Sequence, residues 1–304
     1  MEVATEMHEL NNLTVIHSIQ ELQARLDRNE RQGRTVGFVP TMGFLHEGHL
    51  SLVEQARKHN DVVVMSIFVN PAQFGPGEDY DAYPRDTERD TQLAAEAGVD
   101  ILFMPTPEEM YPQEGGIHIL PGTQASMLCG ASRPGHFDGV LKVVLKLFNI
   151  VDPDRSYFGM KDAQQLAIIE TFVRDFNLRT DIVRVPTVRE QDGLAKSSRN
   201  VHLTAMERKE APIIQQALQQ GALLFAEGHA VAEIEKQVAE HIVANSSGCI
   251  DYVSLLSYPA LTALDEPKGE AIIACAVKFE RTRLIDNIII TKKDGSYVQN
   301  DDEQ

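Results

Sequence analysis

The chain has 304 residues, 43% hydrophobic and 24% charged, with 28 Lys and Arg against 45 Asp and Glu for a net charge of -17. That is an ordinary globular composition with chain enough for one large domain or two modest ones, which excludes disordered, collagen-like and disulfide-scaffold classes. Such an excess of acid, with no local basic patch, argues against a nucleic-acid partner. The best apolar run, residues 62–69, is strand length and far short of a membrane span. The opening MEVATEMHEL has neither the basic nor the apolar region of a signal peptide. Cys129, Cys249 and Cys275 form no CxxC pair; they suit a reducing cytoplasm and argue against a zinc ribbon.

After an acidic lead-in, residues 18–31 place Ile19, Leu22 and Leu26 at helical spacing, and Gly33 stops that helix. Residues 35–39 predict a short strand closed by Pro40, and residues 45–58 a helix. Residues 62–68 are nearly all apolar, the pattern of a strand buried on both faces of a parallel sheet. A helix over 86–97 stops at Gly98, and a strand over 101–104 stops at Pro105. The next stretch is looser. Helix then follows over 139–151, residues 155–158 lead into Gly159-Met160-Lys161-Asp162, and a helix over 163–175 and a strand over 182–185 come next. A long helical region over 205–245 breaks around Gly221 and Gly228. Strands over 250–257, 271–279 and 282–291 close the chain, and the final QNDDEQ is expected to be disordered.

Strands alternating with helices at this spacing predict an α/β fold, a Rossmann-like doubly wound parallel sheet, followed by a smaller C-terminal α+β domain. The expected boundary lies near residues 186–189, dividing the chain into 1–186 and 187–304.

Four segments could carry chemistry. The strongest runs strand, then Pro40-Thr41-Met42-Gly43-Phe44-Leu45-His46-Glu47-Gly48-His49, then helix. In a parallel sheet this turn lies at the carboxyl end of a strand, where such folds bind ligands, and the helix points its free N–H groups there. Two imidazoles delivered to that place suit an anion such as a triphosphate, and Gly48 would let a flat ring approach the backbone. The His spacing of i and i+3 is not that of an HExxH zinc protease. The second segment, Lys196-Ser197-Ser198-Arg199-Asn200, offers hydroxyls and cations for phosphates, although alone it reads as a solvated loop. In the third, Lys161 of Gly159-Met160-Lys161-Asp162 stands where a helix begins, an unfavourable place for a cation unless an anion is bound. The fourth, residues 68–74, ends a strand with Asn70 and Gln73, amides able to hold a small polar substrate or simply an Asn-Pro turn. No Walker A, GxGxxG or paired-carboxylate arrangement is present.

HxGH at a strand-to-helix turn, a mid-chain GxKD and an SSRN loop together resemble the class I nucleotidylyltransferase superfamily. More closely, VPTMGFLHEGHLSLV, SIFVNPAQFGPGEDYDAYPRD, RPGHFDGVLKVVLKLFNIVDPDRSYFGMKDAQQLAII, VPTVREQDGLAKSSRN and TRLIDNI resemble the pantoate–β-alanine ligase family over residues about 35–290. The resemblance implies that Met42, Gly43, Phe44, Leu45, His46, Glu47, Gly48 and His49 hold ATP. His49 is then the catalytic histidine and proton donor, with His46 and Lys161 beside it on the phosphates. Gly159, Met160, Lys161 and Asp162 would line the nucleotide, and Val188 its adenine side. Lys196, Ser197, Ser198 and Arg199 would close over the phosphates as a lid. Gln73 and Gln165 would hold pantoate, with Gln73 also bordering β-alanine. Arg133 and His136 lie in a matching segment and receive no role. Lys196 departs from the Met or Leu expected there, and so either adds a phosphate contact or points outward.

The implied reaction joins pantoate to β-alanine through a pantoyl adenylate, releasing pyrophosphate and AMP. Mg²⁺ would be carried mainly by the phosphates, with no protein ligand assigned. Residues 1–186 would bind ATP and pantoate, and 187–304 would supply the lid. A cytoplasmic homodimer is expected, with residues 68–74 and 141–151 more apolar than one sheet requires. Two alternatives remain at this point: a nucleotidylyltransferase that stops at an adenylylated product, and a non-catalytic ATP-sensing module.

Overall fold

The computed structural model describes residues 13–30, 33–78, 80–113, 115–266, 268–293 and 296–299. Six strands belong to the first sheet: β1 (Thr14–Ile16), β2 (Val36–Thr41), β3 (Val62–Ile67), β4 (Ile101–Phe103), β5 (Arg155–Gly159) and β6 (Asp181–Val185). Between and after them run α1 (Ile19–Glu30), α2 (Glu47–His59), α3 (Thr87–Glu96), α4 (Pro107–Met110), α5 (Leu128–Ser132), α6 (His136–Val151) and α7 (Ala163–Asp175). The remainder forms α8 (Ala205–Glu210), α9 (Ile213–Glu227) and α10 (Val231–Asn245), then β7 (Cys249–Ser257), β8 (Ala271–Lys278), β9 (Arg283–Lys293) and β10 (Ser296–Gln299).

The first sheet has the order β1-β4-β3-β2-β5-β6, and its pairings are all parallel. From β2 the chain travels outward through β3 and β4, then returns to lay β5 on the other side of β2. The carboxyl ends of β2 and β5 therefore flank the switch point, the crevice where open α/β sheets bind ligands. β3 shows why the sheet is covered on both faces. It sends Val62 and Val64 into one apolar cluster with α1, α6 and α7, and Val63 and Met65 into another with α2 and α3. This is the two-faced burial that the unbroken apolar run at 62–68 predicts.

The second sheet is antiparallel, in the order β10-β9-β8-β7. One face packs Ile273, Cys275, Val277 and Ile288 against Leu218, Phe225, Ile234 and Val238 of α9 and α10. Its other face, through Leu256, Ile272, Ala274 and Ile289, joins the same cluster as α6 and α7. The second sheet is thus braced against the first unit.

Six expectations change. β1 forms inside the lead-in, paired with β4 at the sheet edge; three residues of mixed burial leave little periodicity to detect. Pro40 does not end β2, whose pairing with β3 continues through Thr41↔Ile67. Backbone groups alternate in direction along a strand; Thr41 turns to the β3 side, where its carbonyl accepts from Phe68 N–H at 3.0 Å. Pro40 therefore turns its missing N–H to the β5 side, where the recorded pairing stops at Phe38↔Ser156. α6 starts at His136 rather than 139, after Gly135 at φ +79. Gly221 lies inside α9 rather than breaking it: a Cβ there would sit 2.6 Å from Val238 Cγ2, so glycine lets α10 pack close. The interhelical contact outweighs the roughly 1 kcal/mol of helix propensity that glycine forgoes. Finally, Gln299 closes β10 against Ile290, while 300–304 lie outside the described residues, as does most of the lead-in. Residues 68–74 and 141–151 are also not surplus apolar surface. Phe68, Leu141, Val144, Leu147 and Phe148 are buried within the chain's own core.

Candidate active site

Two imidazoles stand on the turn between β2 and α2. Gly43 and Phe44 both take positive φ, +85° and +50°, a conformation that costs a non-glycine residue about 1–2 kcal/mol. What holds it is Asp90 on α3, which is 1% exposed. Its Oδ2 accepts from Phe44 N–H at 2.7 Å and its Oδ1 from Leu45 N–H at 2.8 Å. Hydrogen bonds to a charged acceptor contribute about 1.5–3 kcal/mol each, enough to offset the strained turn. Burial pushes the Asp90 carboxyl upward, against the pull of those two N–H groups.

Past the turn, His46 caps α2: its Nδ1 accepts from Gly48 N–H at 3.1 Å, and His49 Nδ1 accepts from His46 N–H at 3.3 Å. With both Nδ1 atoms used as acceptors, a neutral ring carries its proton on Nε2, so each histidine keeps one N–H to donate. The rings lie 4.1 Å apart. Burial, and then the charge of Lys161, lowers His46 from 6.5 to about 4. Burial, then the neighbouring His46 and Lys161, lowers His49 to about 3. Both are therefore neutral hydrogen-bond donors at neutral pH. Gly48 leaves room for the first ring: a Cβ on it would lie 2.9 Å from His46 Cε1.

Both rings line a cavity of about 220 Å³. Met42, Gly48, Gln73, Gly159, Lys161, Asp162 and Gln165 line it as well. Val188 closes it beside Pro186 and Thr187, and Lys196, Ser197, Ser198 and Arg199 cover it. A neighbouring cavity of about 610 Å³ shares Lys161, Asp162, Gln165, Ser197 and Arg199 and adds Arg133 and His136. Gly43, Phe44, Leu45 and Met160 line neither, because Leu45 and Met160 are buried in the apolar core and the other two form the turn behind the histidines. Glu47 turns away to Lys196, whose Nζ lies 3.0 Å from Glu47 and 3.3 Å from Glu190. Lys196 therefore ties the Ser197–Arg199 loop to Glu47 in the first turn of α2.

Gln73 is 7% exposed on a short 3-10 turn, Pro71–Gln73. Asn70 arranges it: Asn70 Nδ2 donates to Gln73 Oε1 at 3.0 Å and to Gly139 O at 3.1 Å, and Tyr111 Oη donates to Asn70 Oδ1 at 2.8 Å. Gln73 Nε2 reaches Met42 Sδ at 3.2 Å. Arg133 grips Glu78 with two bonds of 2.8 and 2.6 Å and lies 3.1 Å from His136 Nε2, while His136 Nδ1 is 2.8 Å from Gln73 O. Burial, then Arg133, lowers His136 to about 4. A neutral His136 accepting from Arg133 thus donates to the Gln73 carbonyl. Sequence reasoning missed Asp90, Asn287 and the Arg189–Asp286 pair, whose partners lie far away along the chain. Asp90 alone had a local hint, an acidic residue in the first turn of a helix, which is too common to single out.

Among the described residues no group of three or more His, Cys, Asp or Glu gathers to hold a metal. Asp162 is the one carboxylate among them that lines the smaller cavity. That donor set fits a hard cation held chiefly by a ligand's own oxygens. No helix among the described residues is long and apolar enough to cross a membrane.

Imidazoles after β2 and a lysine turn after β5 line one cavity at the switch point beneath a Ser-Ser-Arg loop, which is where an enzyme of this α/β class takes its ligand. A model of the pantoate–β-alanine ligase family matches residues 14–289. A pantothenate synthetase of Bacillus velezensis is 57% identical over 271 residues, covering 89% of this chain and 95% of that one. That of Bacillus subtilis is 55% identical over 275 residues, covering 90% and 96%. The crystal structure of pantothenate synthetase from Thermus thermophilus superposes with TM-score 0.85 at 47% identity, covering 90% of this chain and 98% of that one. The pantoate–β-alanine ligase of Francisella tularensis, solved with a β-γ ATP ligand and β-alanine, gives 0.76 at 36% identity, covering 90% and 97%. The chain belongs to the pantoate–β-alanine ligase family and is a ligase. Neither alternative, the adenylylating transferase or the ATP sensor, is favoured.

The three half-buried histidines, His46, His49 and His136, set a pH dependence. Their folded values lie below 6.5, so the unfolded chain takes up protons first. Stability should be full above about pH 6.5 and fall as pH drops toward 4. Urea unfolding should give a lower midpoint at about pH 5 than at about pH 7.5, and His49→Asn should flatten the difference. A midpoint that stays level over that interval contradicts neutral burial.

Proposed function

We propose that the two cavities hold ATP and pantoate together, and that ligation runs through pantoyl adenylate. The pantoate carboxylate attacks the α-phosphorus and pyrophosphate leaves. The amine of β-alanine then attacks the acyl carbon, its proton passes to solvent and AMP leaves. The observation that carries this reading is the convergence at one switch point of two N–H-donating imidazoles, Lys161, the Ser197–Arg199 cover and the amides of Gln73 and Gln165. The first step needs neutralisation of phosphate charge more than any covalent group from the protein. In our assignment, His46 and His49 donate from Nε2 without the cost of burying two cations. Lys161 supplies the full positive charge, with Ser197, Ser198 and Arg199 on the β- and γ-phosphates. Val188 borders the adenine, Gln73 and Gln165 hold pantoate, and Gln73 also borders β-alanine. Mg²⁺, carried by the nucleotide, would neutralise phosphate oxygens, and Asp162 is placed to take part in its shell of oxygen ligands.

The division at 186/187 is likewise our reading, with the second part supplying the lid hairpin. So is a cytoplasmic location, which the three free cysteines suit. Assembly as a homodimer rests on family membership; sedimentation should give the dimer mass at micromolar concentration, and a monomer refutes it.

The direct test is formation of pantothenate and AMP from pantoate, β-alanine and MgATP. His49→Ala should slow adenylate formation by about two to three decades, the scale of losing one preorganised donor, with little change in melting temperature near pH 8. An unchanged rate removes His49 from the mechanism. Arg199→Ala should slow the first half-reaction and leave the second, begun from supplied pantoyl adenylate, nearly intact, because pyrophosphate has already departed. Equal slowing of both steps would mean the loop shapes the whole site.

A further inference from the structure

The TRLIDNI segment matches the family yet has no role in the reaction as described. It forms the start of β9, and there Asp286 and Asn287 are 4% and 7% exposed among buried Leu284, Ile288, Ile289 and Ile290. A buried carboxylate or amide is costly unless paired, so their partners show why they are tolerated. Asp286 grips Arg189 with both oxygens, at 2.7 and 3.2 Å, and its Oδ1 also accepts from Asn287 N–H at 2.8 Å. Arg189 is bridged to Ala195 at the base of the hairpin that leads into Ser197–Arg199. Asp286 thereby ties β9 to the lid.

Asn287 reaches the other side of the crevice. Its Nδ2 donates to Met160 O at 3.1 Å and Lys161 O at 2.8 Å. Those carbonyls belong to the three-residue 3-10 turn Met160–Asp162, a short element of poor hydrogen-bond geometry that gains two anchors from the amide. β5 ends at Gly159, and beyond it the backbone that carries Lys161 is anchored by an amide 126 residues further on.

We infer that Asn287 is a positioning residue for adenylate formation, fixing through these two hydrogen bonds the turn from which Lys161 meets the phosphates. This rests on the reading of Lys161 as a phosphate ligand. Without the amide the turn loses both of these anchors and is free to shift, and a displacement near 1 Å at a charge-stabilising group costs about a hundredfold in rate.

Single-turnover rates of both half-reactions, for Asn287→Ala, Lys161→Ala and the double variant, test it. Asn287→Ala should slow adenylate formation about tenfold to a hundredfold, while aminolysis of supplied pantoyl adenylate changes by less than about threefold. In the Lys161→Ala background the second substitution should add less than about threefold, because the group it positions is gone. Asn287→Leu keeps the branched side-chain shape without the N–H donors and should match the Ala variant, which covers the case in which truncation alone loosens the fold. Multiplicative losses in an impaired Lys161→Ala background, or equal slowing of both steps, would overturn the inference and leave the phosphate reading intact. A Lys161→Ala protein of full rate would overturn both.

Discussion

The carboxylate of Asp90, buried beneath the turn after β2, holds the two backbone N–H groups on which the geometry of the site depends. Without it, Phe44 would have no reason to stay at φ +50, and the chain would enter α2 at another angle. His46 could then no longer cap that helix, and His49 would lose the His46 N–H that fixes its ring. A single acid on α3 thus sets the direction of two imidazoles on α2. The strain is local, and its compensation comes from a neighbouring element across the sheet's face. Arrangements of this kind withstand ligand binding because the turn is held from behind, away from the space the ligand enters.

The electrostatics follow from the same packing. A chain of net charge -17 would repel a triphosphate at long range, so attraction has to be built at close quarters. Keeping both histidines neutral avoids placing three cations around an empty crevice, while the Nε2–H groups remain as donors. Lys161 then stands as the main full charge on the β5 side. Lys196, by contrast, is matched by Glu47 and Glu190 and serves to fasten the lid to α2. Two lysines that look equivalent in the sequence therefore do different work.

The second sheet has a direct share in the site: Tyr252 of β7, Ile272 and Ala274 of β8 and Asp286 and Asn287 of β9 line the larger cavity. Its outer face is buried against α6 and α7, which fixes β9 relative to the first sheet. From that position Asp286 and Asn287 reach the lid hairpin and the Lys161 turn. The two flanks of the crevice are consequently referenced to one strand, and helix packing in the C-terminal part bears on the spacing of groups in the N-terminal part.

Much of this was legible in the residue order. The unbroken apolar run of β3, the helical patterns of α6 and α7, the Gly98 stop after α3, and the HEGH turn are local features, set by near neighbours along the chain. The motif residues His46, His49, Lys161, Gln73 and Ser197–Arg199 could be named for the same reason. Other features needed the tertiary structure: the strand β1, the passage of β2 through Pro40, the close packing at Gly221, and the clasp made by Lys196. So did Asp90 beneath the turn, Asn70 behind Gln73, and Asn287 behind Lys161. Each depends on a partner that folding brings from elsewhere in the chain: 46 residues separate Asp90 from Phe44, and 126 separate Asn287 from Lys161. The sequence by itself determined the elements and the reactive groups at their ends, since these follow from short-range periodicity and backbone chemistry. The tautomers, the charge states and the exact aim of those groups were decided only by tertiary structure, because burial and long-range hydrogen bonds exist only once distant segments have packed.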